Sequence, residues 1–144
     1  MKEIEVGLLI TSRTLSLSDI SAHLGLPYAS GSREKGSKLG KQEVLAMTVW
    51  RLDTPTGAAH RIETAFSELT TQVPPERINS LLASAPDTAV WFDVAVYFDT
   101  PMAAVQIPKE CVDIAAGYRA AIEVSYYPSA FGASPSESGQ PVLD

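Results

Sequence analysis

Hydrophobic and polar residues alternate strictly along residues 88–99, T-A-V-W-F-D-V-A-V-Y-F-D. In a β-strand, successive side chains point to opposite faces of the sheet. One face of this predicted strand is wholly apolar, with Val90, Phe92, Val94, Val96 and Phe98. The other face combines aromatic, small and acidic residues, namely Trp91, Asp93, Ala95, Tyr97 and Asp99. We expect the first face to meet the hydrophobic core.

Two further segments alternate in the same way. Residues 3–12 place Glu5, Gly7, Leu9 and Thr11 opposite a row of aliphatic residues. Residues 119–127 place Glu123, Ser125 and Tyr127 opposite Ile122, Val124 and Tyr126. A fourth strand is predicted over residues 44–52. We call the side of the predicted sheet that carries these aromatic, acidic and small residues the mixed face.

Helical signals separate the strands. Ser16 and Asp19 form a capping box before a short helix, which Gly25 and Pro27 end. Apolar residues then recur at helical spacing over 62–73, and Pro75 suits the first turn of a further helix. Another helix is predicted over 107–117. Residues 29–42 contain three glycines and few apolar residues, which predicts a mobile loop.

The predicted order of elements is β-α-β, then two helices, then β-α-β. This order predicts an α+β fold, a ferredoxin-like two-layer sandwich with a helical insertion and one helix-covered sheet face. Residues 1–128 are expected to form a single domain. Residues 129–144 are rich in Ser, Gly and Pro and are expected to form a disordered tail.

Charge and cysteine content exclude several classes of function. The net charge of −6 argues against non-specific nucleic-acid binding, which needs a basic surface. The apolar runs are too short for a membrane span, and acidic residues near the start are atypical of a signal peptide. Cys111 is the only cysteine, so no internal disulfide forms. We therefore expect a cytoplasmic protein.

One loop is basic although the chain is acidic. Residues 30–42 carry Arg33, Lys35, Lys38 and Lys41 against a single Glu34. Glycine-rich backbone and lysines suit an anion. A small anionic ligand held here near Trp50, in a regulatory domain, is therefore an alternative function. A solvated loop without a ligand is the simpler interpretation, and no P-loop motif is present.

The chain resembles domain-of-unknown-function family 4279, a family of uncharacterised small bacterial proteins. The stretches that carry the resemblance are residues 15–27 (L-S-L-S-D-I-S-A-H-L-G-L-P), Lys35-Gly36, residues 49–54 (V-W-R-L-D-T), residues 107–117 (I-P-K-E-C-V-D-I-A-A-G) and residues 123–127 (E-V-S-Y-Y). The resemblance implies an α+β fold and no established activity. Since some uncharacterised families of this size include immunity proteins of bacterial toxin systems, it slightly favours that role.

No catalytic or metal-binding constellation is visible. His23 and His60 are the only histidines, and neither has a second histidine or cysteine at ligand spacing. Cys111 lies on the apolar side of a predicted helix, where a packing role is expected rather than nucleophilic chemistry. We therefore expect no metal, no cofactor and no enzymatic activity.

The favoured hypothesis is a non-enzymatic binding protein whose mixed face meets another protein, either a second copy or a basic partner such as a toxin. Aromatic anchors dominate interface energetics, and carboxylates steer cationic partners. The candidate partner-binding residues are Trp91, Asp93, Tyr97, Glu5, Glu123 and Tyr127. An RNA-binding face is disfavoured because these carboxylates would repel phosphate. Two questions stay open: whether Trp50 or Arg51 joins this face, and whether the inserted helices cover it.

Overall fold

The computed structural model describes residues 2–39, 43–54, 61–98 and 105–128. The predicted tail, residues 129–144, and His60 and Asp99 lie outside the described residues. In chain order the elements are β1 (Lys2–Ser12), α1 (Leu17–Leu24), β2 (Lys38–Leu39), β3 (Glu43–Val44), β4 (Thr48–Asp53), α2 (Ile62–Gln72), α3 (Pro75–Ser84), β5 (Ala89–Phe98), α4 (Lys109–Gly117) and β6 (Ala121–Pro128).

The main sheet has the strand order β4-β1-β5-β6. β1 is antiparallel to both β4 and β5, whereas β5 and β6 are parallel and joined through α4. The α+β class is confirmed, with a mixed four-stranded sheet. A ferredoxin-like sandwich is not confirmed, because that fold places another strand between the two parallel strands of each βαβ unit. Here the parallel strands are direct neighbours.

The register of the sheet confirms that the alternating patterns line up across strands. Gly7 of β1 lies opposite Asp53 of β4 and Asp93 of β5, and Asp93 lies opposite Glu123 of β6. Paired residues share a face of the sheet. The mixed face therefore consists of Glu3, Glu5, Gly7, Leu9, Thr11, Val49, Arg51, Asp53, Ala89, Trp91, Asp93, Ala95, Tyr97, Ala121, Glu123, Ser125 and Tyr127.

The opposite face of the sheet packs against the helices. Phe92 of β5 stacks on Phe66 of α2 with ring centroids 4.4 Å apart, and meets Tyr118 edge-on at 5.4 Å. Trp50 of β4 is fully buried, and its indole Nε1 donates to Ser21 Oγ of α1 at 2.9 Å. The buried residues of all four helices belong to this one core. The inserted helices α2 and α3 therefore pack away from the mixed face.

The capping box before α1 is confirmed. Ser16 Oγ accepts from the Asp19 backbone N–H, and the Asp19 carboxylate accepts from the Ser16 N–H, each at 3.0 Å. The hydrogen bond from the Ser16 backbone N–H to the carboxylate is the largest cause of the lowered pKa of Asp19. Gly25 ends the helix with φ 74°, a left-handed conformation that glycine adopts without steric cost.

The described part of the predicted mobile loop pairs with the sheet instead. The backbone N–H of Ala29 donates to the Arg51 carbonyl at 2.7 Å. Arg33 and Val49 exchange two backbone hydrogen bonds of 2.8 Å each. This segment therefore covers the outer edge of β4, and it continues into the short β2–β3 hairpin. Backbone pairing of this kind leaves no periodic pattern of apolar side chains, so the sequence did not indicate it.

Cys111 is fully buried in α4, and burial raises the pKa of its thiol from 9.0 to about 11. At pH 8 this higher pKa leaves a thiolate fraction about a hundredfold smaller than that of a free cysteine. We expect the folded protein at pH 8 to react with a disulfide reagent at least ~100-fold more slowly than the urea-unfolded chain. Equal rates in the two states, measured by thiol absorbance, would contradict the burial of Cys111.

Candidate functional site

An arginine lies between two aspartates at the centre of the mixed face. Arg51 Nε contacts Asp53 Oδ1 at 2.7 Å, and Arg51 Nη1 contacts Asp93 Oδ2 at 3.2 Å. Burial alone would lower the pKa of Arg51, but Asp53 and then Asp93 raise it. Of Trp50 and Arg51, the register places Arg51 on the mixed face. This cluster links β4 to β5 across β1.

Gly7 of β1 provides the space for that link. A Cβ built at position 7 would lie 2.7 Å from Arg51 Nη2 and 3.1 Å from Asp53 Oδ1. Side-chain atoms do not approach a Cβ to within 2.7 Å, so a residue other than glycine would displace the end of the Arg51 side chain from its place on the β1 backbone. The alternation in β1 places Gly7 on this face, but its role depends on a contact between residues 44 positions apart, which no local sequence pattern shows.

We expect Gly7→Ala to push the Arg51 guanidinium away from Asp93 and to lower the free energy of unfolding by at most about 1 kcal/mol, because the end of a flexible side chain moves aside and a partly exposed ion pair is lost. Urea denaturation followed by circular dichroism measures this change. The matched control is Gly117→Ala in α4, where a Cβ meets nothing within 4 Å. Alanine there is expected to stabilise the helix by about 0.5–1 kcal/mol. Equal effects of the two substitutions would contradict the assigned role of Gly7.

A pair of tyrosines lies toward the end of the face where β5 and β6 finish. The rings of Tyr97 and Tyr127 are stacked, with centroids 5.3 Å apart and an interplanar angle of 24°. Tyr97 Oη donates to Glu5 Oε1 at 3.2 Å. Burial, and then the charge of Glu5, raise the pKa of Tyr97. Tyr127 is 46% exposed, so this aromatic pair presents one ring to solvent.

Trp91 lies near the other end of the face. The register places it between Leu9 of β1 and Ala121 of β6, and its side chain is half-buried. An open cleft of about 890 Å³ lies beside it, and Arg119 and Glu123 also line that cleft. The mixed face thus carries aromatic groups near both ends, with the Arg51 cluster between them.

Carboxylates outnumber cations on the mixed face. One guanidinium lies among five carboxylates, which gives a net charge of −4 from Arg51, Glu3, Glu5, Asp53, Asp93 and Glu123. The structure places all six predicted partner-binding residues on this face, as the alternation predicted. Such a surface attracts a cationic partner electrostatically.

The predicted anion-binding residues are not brought together. Trp50 is fully buried in the core, whereas Arg33, Lys35 and Lys38 are exposed. Lys35 Nζ donates to the Arg13 carbonyl at 2.6 Å. Trp50 therefore cannot report on or contact a ligand held by these cations at the surface.

The carboxylate of Glu34 occupies the position where an anion would bind near this loop. It accepts from the Leu17 backbone N–H at 3.2 and 3.3 Å and from Thr48 Oγ1 at 3.2 Å. The free N–H groups at a helix N-terminus are the usual anion site, and Glu34 satisfies one at the start of α1. The contacts of this loop therefore give the anionic-ligand alternative no added support.

No group of three or more His, Cys, Asp or Glu side chains that could hold a metal ion occurs within the described ranges. His23 Nε2 lies 3.2 Å from Ser80 Oγ, a contact between two helices. Among the helices of the described residues, none combines the length and hydropathy that crossing a bilayer requires.

The chain matches no family model, no curated protein and no solved structure. The resemblance to the family of unknown function therefore stays a prediction.

Proposed function

We propose that this protein is a non-enzymatic binding protein that holds a cationic protein partner on its mixed face. One observation carries the proposal: the helices of the described residues pack on the opposite side of the sheet, away from a face with a net charge of −4 and three large aromatic residues. Large aromatic side chains on an uncovered sheet surface are typical of an interface.

The shape of the face favours a protein over a small molecule. Small-molecule sites are usually concave and bury most of their ligand. The mixed face instead extends across four strands. Along the strands it runs from the tyrosine pair to Trp91. Trp91, Tyr97 and Tyr127 supply the apolar anchors, and Glu5 and Glu123 steer the approach of a basic protein.

The polar contacts on the face favour binding over catalysis. Asp93 is engaged with Arg51, and Glu5 accepts from Tyr97. General acid–base chemistry needs a carboxyl group with a shifted pKa that is positioned to exchange protons with substrate. Carboxylates that are already paired on an open surface suit recognition of a partner better than catalysis.

We also propose that the protein acts in the cytoplasm, where the lone buried thiol of Cys111 suits a reducing compartment. A basic toxin has the positive charge that this face requires, and the protein then acts as the immunity protein of that toxin.

Affinity capture with matched variants tests the proposal. The wild-type protein, Tyr127→Ala and Tyr28→Ala serve as baits in a lysate of the source cells. Tyr28 is the control, because it is 48% exposed, against 46% for Tyr127, and does not lie on the mixed face. We expect the wild type and Tyr28→Ala to retain a basic protein and Tyr127→Ala to lose it. Added salt is expected to release that protein from the wild type. Retention of the same proteins by all three baits would contradict the proposal.

A further inference from the structure

The two edges of the main sheet differ. The outer edge of β4 is covered by residues 29–33 of the same chain. Within the described residues, no strand pairs with the outer edge of β6. An uncovered edge presents unpaired N–H and C=O groups to which another strand can bind.

Most of the length of β6 lacks the features that usually prevent edge pairing. Natural edge strands carry lysines, prolines or bulges that block the approach of a second strand. Between Ala121 and Tyr127 the only charged residue is Glu123, and proline first occurs at Pro128. Both Tyr126 and Tyr127 are exposed. Within the described residues, the edge is therefore chemically open as well as unpaired.

Two opposite charges without partners lie at the start of this edge. The Arg119 and Glu123 side chains each make no hydrogen bond or ion pair within the described part of the chain. Arg119 has φ 53°, a left-handed conformation that is sterically unfavourable for a residue other than glycine. Both side chains line the cleft beside Trp91. An arginine is thus held in an unfavourable conformation next to a cleft with an unpaired carboxylate.

We propose that two copies of this chain pair through their β6 edges, antiparallel, about a two-fold axis at Ala121. In such a pair, positions 121–123 of the two copies form the ladder, and Arg119, in the turn two positions before the axis, lies beside residue 123 of the other copy. Arg119 of one copy then meets Glu123 of the second copy, twice. Trp91 neighbours Ala121 in the sheet, so both Trp91 side chains lie near the axis.

A second copy satisfies the observations better than another occupant. A two-fold interface uses the same patch on both subunits, so the patch must be complementary to itself. The segment from Arg119 to Glu123 meets this condition, since it carries one cation and one anion on either side of small Ala121. The pairing uses the edge of the sheet and goes beyond the proposed function, which uses its face; Glu123 and Trp91 lie where the two surfaces meet.

Charge reversal tests the pairing. Molar mass is measured by sedimentation over a range of concentrations for the wild type, Arg119→Glu, Glu123→Arg and the double variant. The wild type is expected to form dimers. Each single reversal is expected to weaken dimerisation by about tenfold or more, and the double reversal to restore it. Arg33→Glu, the same change at an exposed position on the opposite edge, is expected to leave the dimer unchanged.

Arg119→Gly separates pairing from folding. Glycine adopts the left-handed conformation without strain, so this variant is expected to fold at least as well as the wild type and still to lose dimer affinity. A wild type that stays monomeric at every concentration overturns the pairing. Single charge reversals that leave the dimer affinity unchanged also overturn the pairing. So does a double reversal that does not restore the dimer affinity. A monomer that still captures a basic protein through the mixed face leaves the proposed function intact.

Discussion

Replacing Phe92 by alanine is expected to lower the free energy of unfolding by about 3–5 kcal/mol. Phe92 is fully buried, stacks on Phe66 and meets Tyr118 edge-on. Its removal leaves a cavity that borders β5, α2 and the C-terminal end of α4, so these elements relax only partly into the space. Since small domains are stable by about 5–15 kcal/mol, the loss is a large part of the total.

Urea denaturation followed by circular dichroism measures this loss. Val112→Ala is the control, because Val112 is 48% exposed on α4 and its truncation is expected to change stability by less than about 0.5 kcal/mol. A loss for Phe92→Ala that is no larger than the loss for Val112→Ala would show that Phe92 is not at the centre of the core. Phe92 lies between Trp91 and Asp93 in β5, so its burial also fixes which residues face outward.

Trp91→Ala is expected to weaken binding of the captured basic partner by at least about thirtyfold, which corresponds to ~2 kcal/mol. The half-buried indole is held by neighbouring strands, so it is already positioned for an interface. Because the substitution creates no buried cavity in the core, its effect on stability is expected to be much smaller than that of Phe92→Ala. Titration calorimetry with the purified partner measures the affinity.

Tyr28→Ala again serves as the control for that titration and is expected to bind the partner as the wild type does. Neutralising the steering charges with Glu5→Gln and Glu123→Gln is expected to slow association and to weaken its dependence on salt. If Trp91→Ala binds the partner with the same affinity as the wild type, Trp91 is not part of the interface.

Local physics made much of this fold predictable. The strict alternation in β1, β5 and β6 identified three strands and assigned each residue to a face, because the period of two follows directly from strand geometry. The capping box at Ser16 and the left-handed Gly25 marked the ends of α1, because both signals lie within a few residues. The composition of the mixed face followed from the same alternation.

Contacts between distant residues were not predictable from this one sequence. The choice between Trp50 and Arg51 depends on register, which a single strand pattern does not fix. The parallel neighbours β5 and β6 depend on how α4 crosses the sheet. Arg119 departs from expectation, since glycine is usual in its conformation and the nearest glycine, Gly117, lies inside α4. The edge cover of residues 29–33 depends on backbone hydrogen bonds and on hydrogen bonds between Ser32 Oγ and the Arg51 backbone, none of which leaves a periodic pattern in the sequence.

Acrylamide quenching of tryptophan fluorescence tests most directly the central claim, that a partner binds the mixed face. Trp50 is fully buried, so the quenchable emission comes from Trp91. The protein is held at one concentration, so self-association is constant, and the purified basic partner is added with its own emission subtracted. We expect saturating partner to reduce quenching to the level of a buried tryptophan. Full binding with unchanged quenching of Trp91 would contradict the claim.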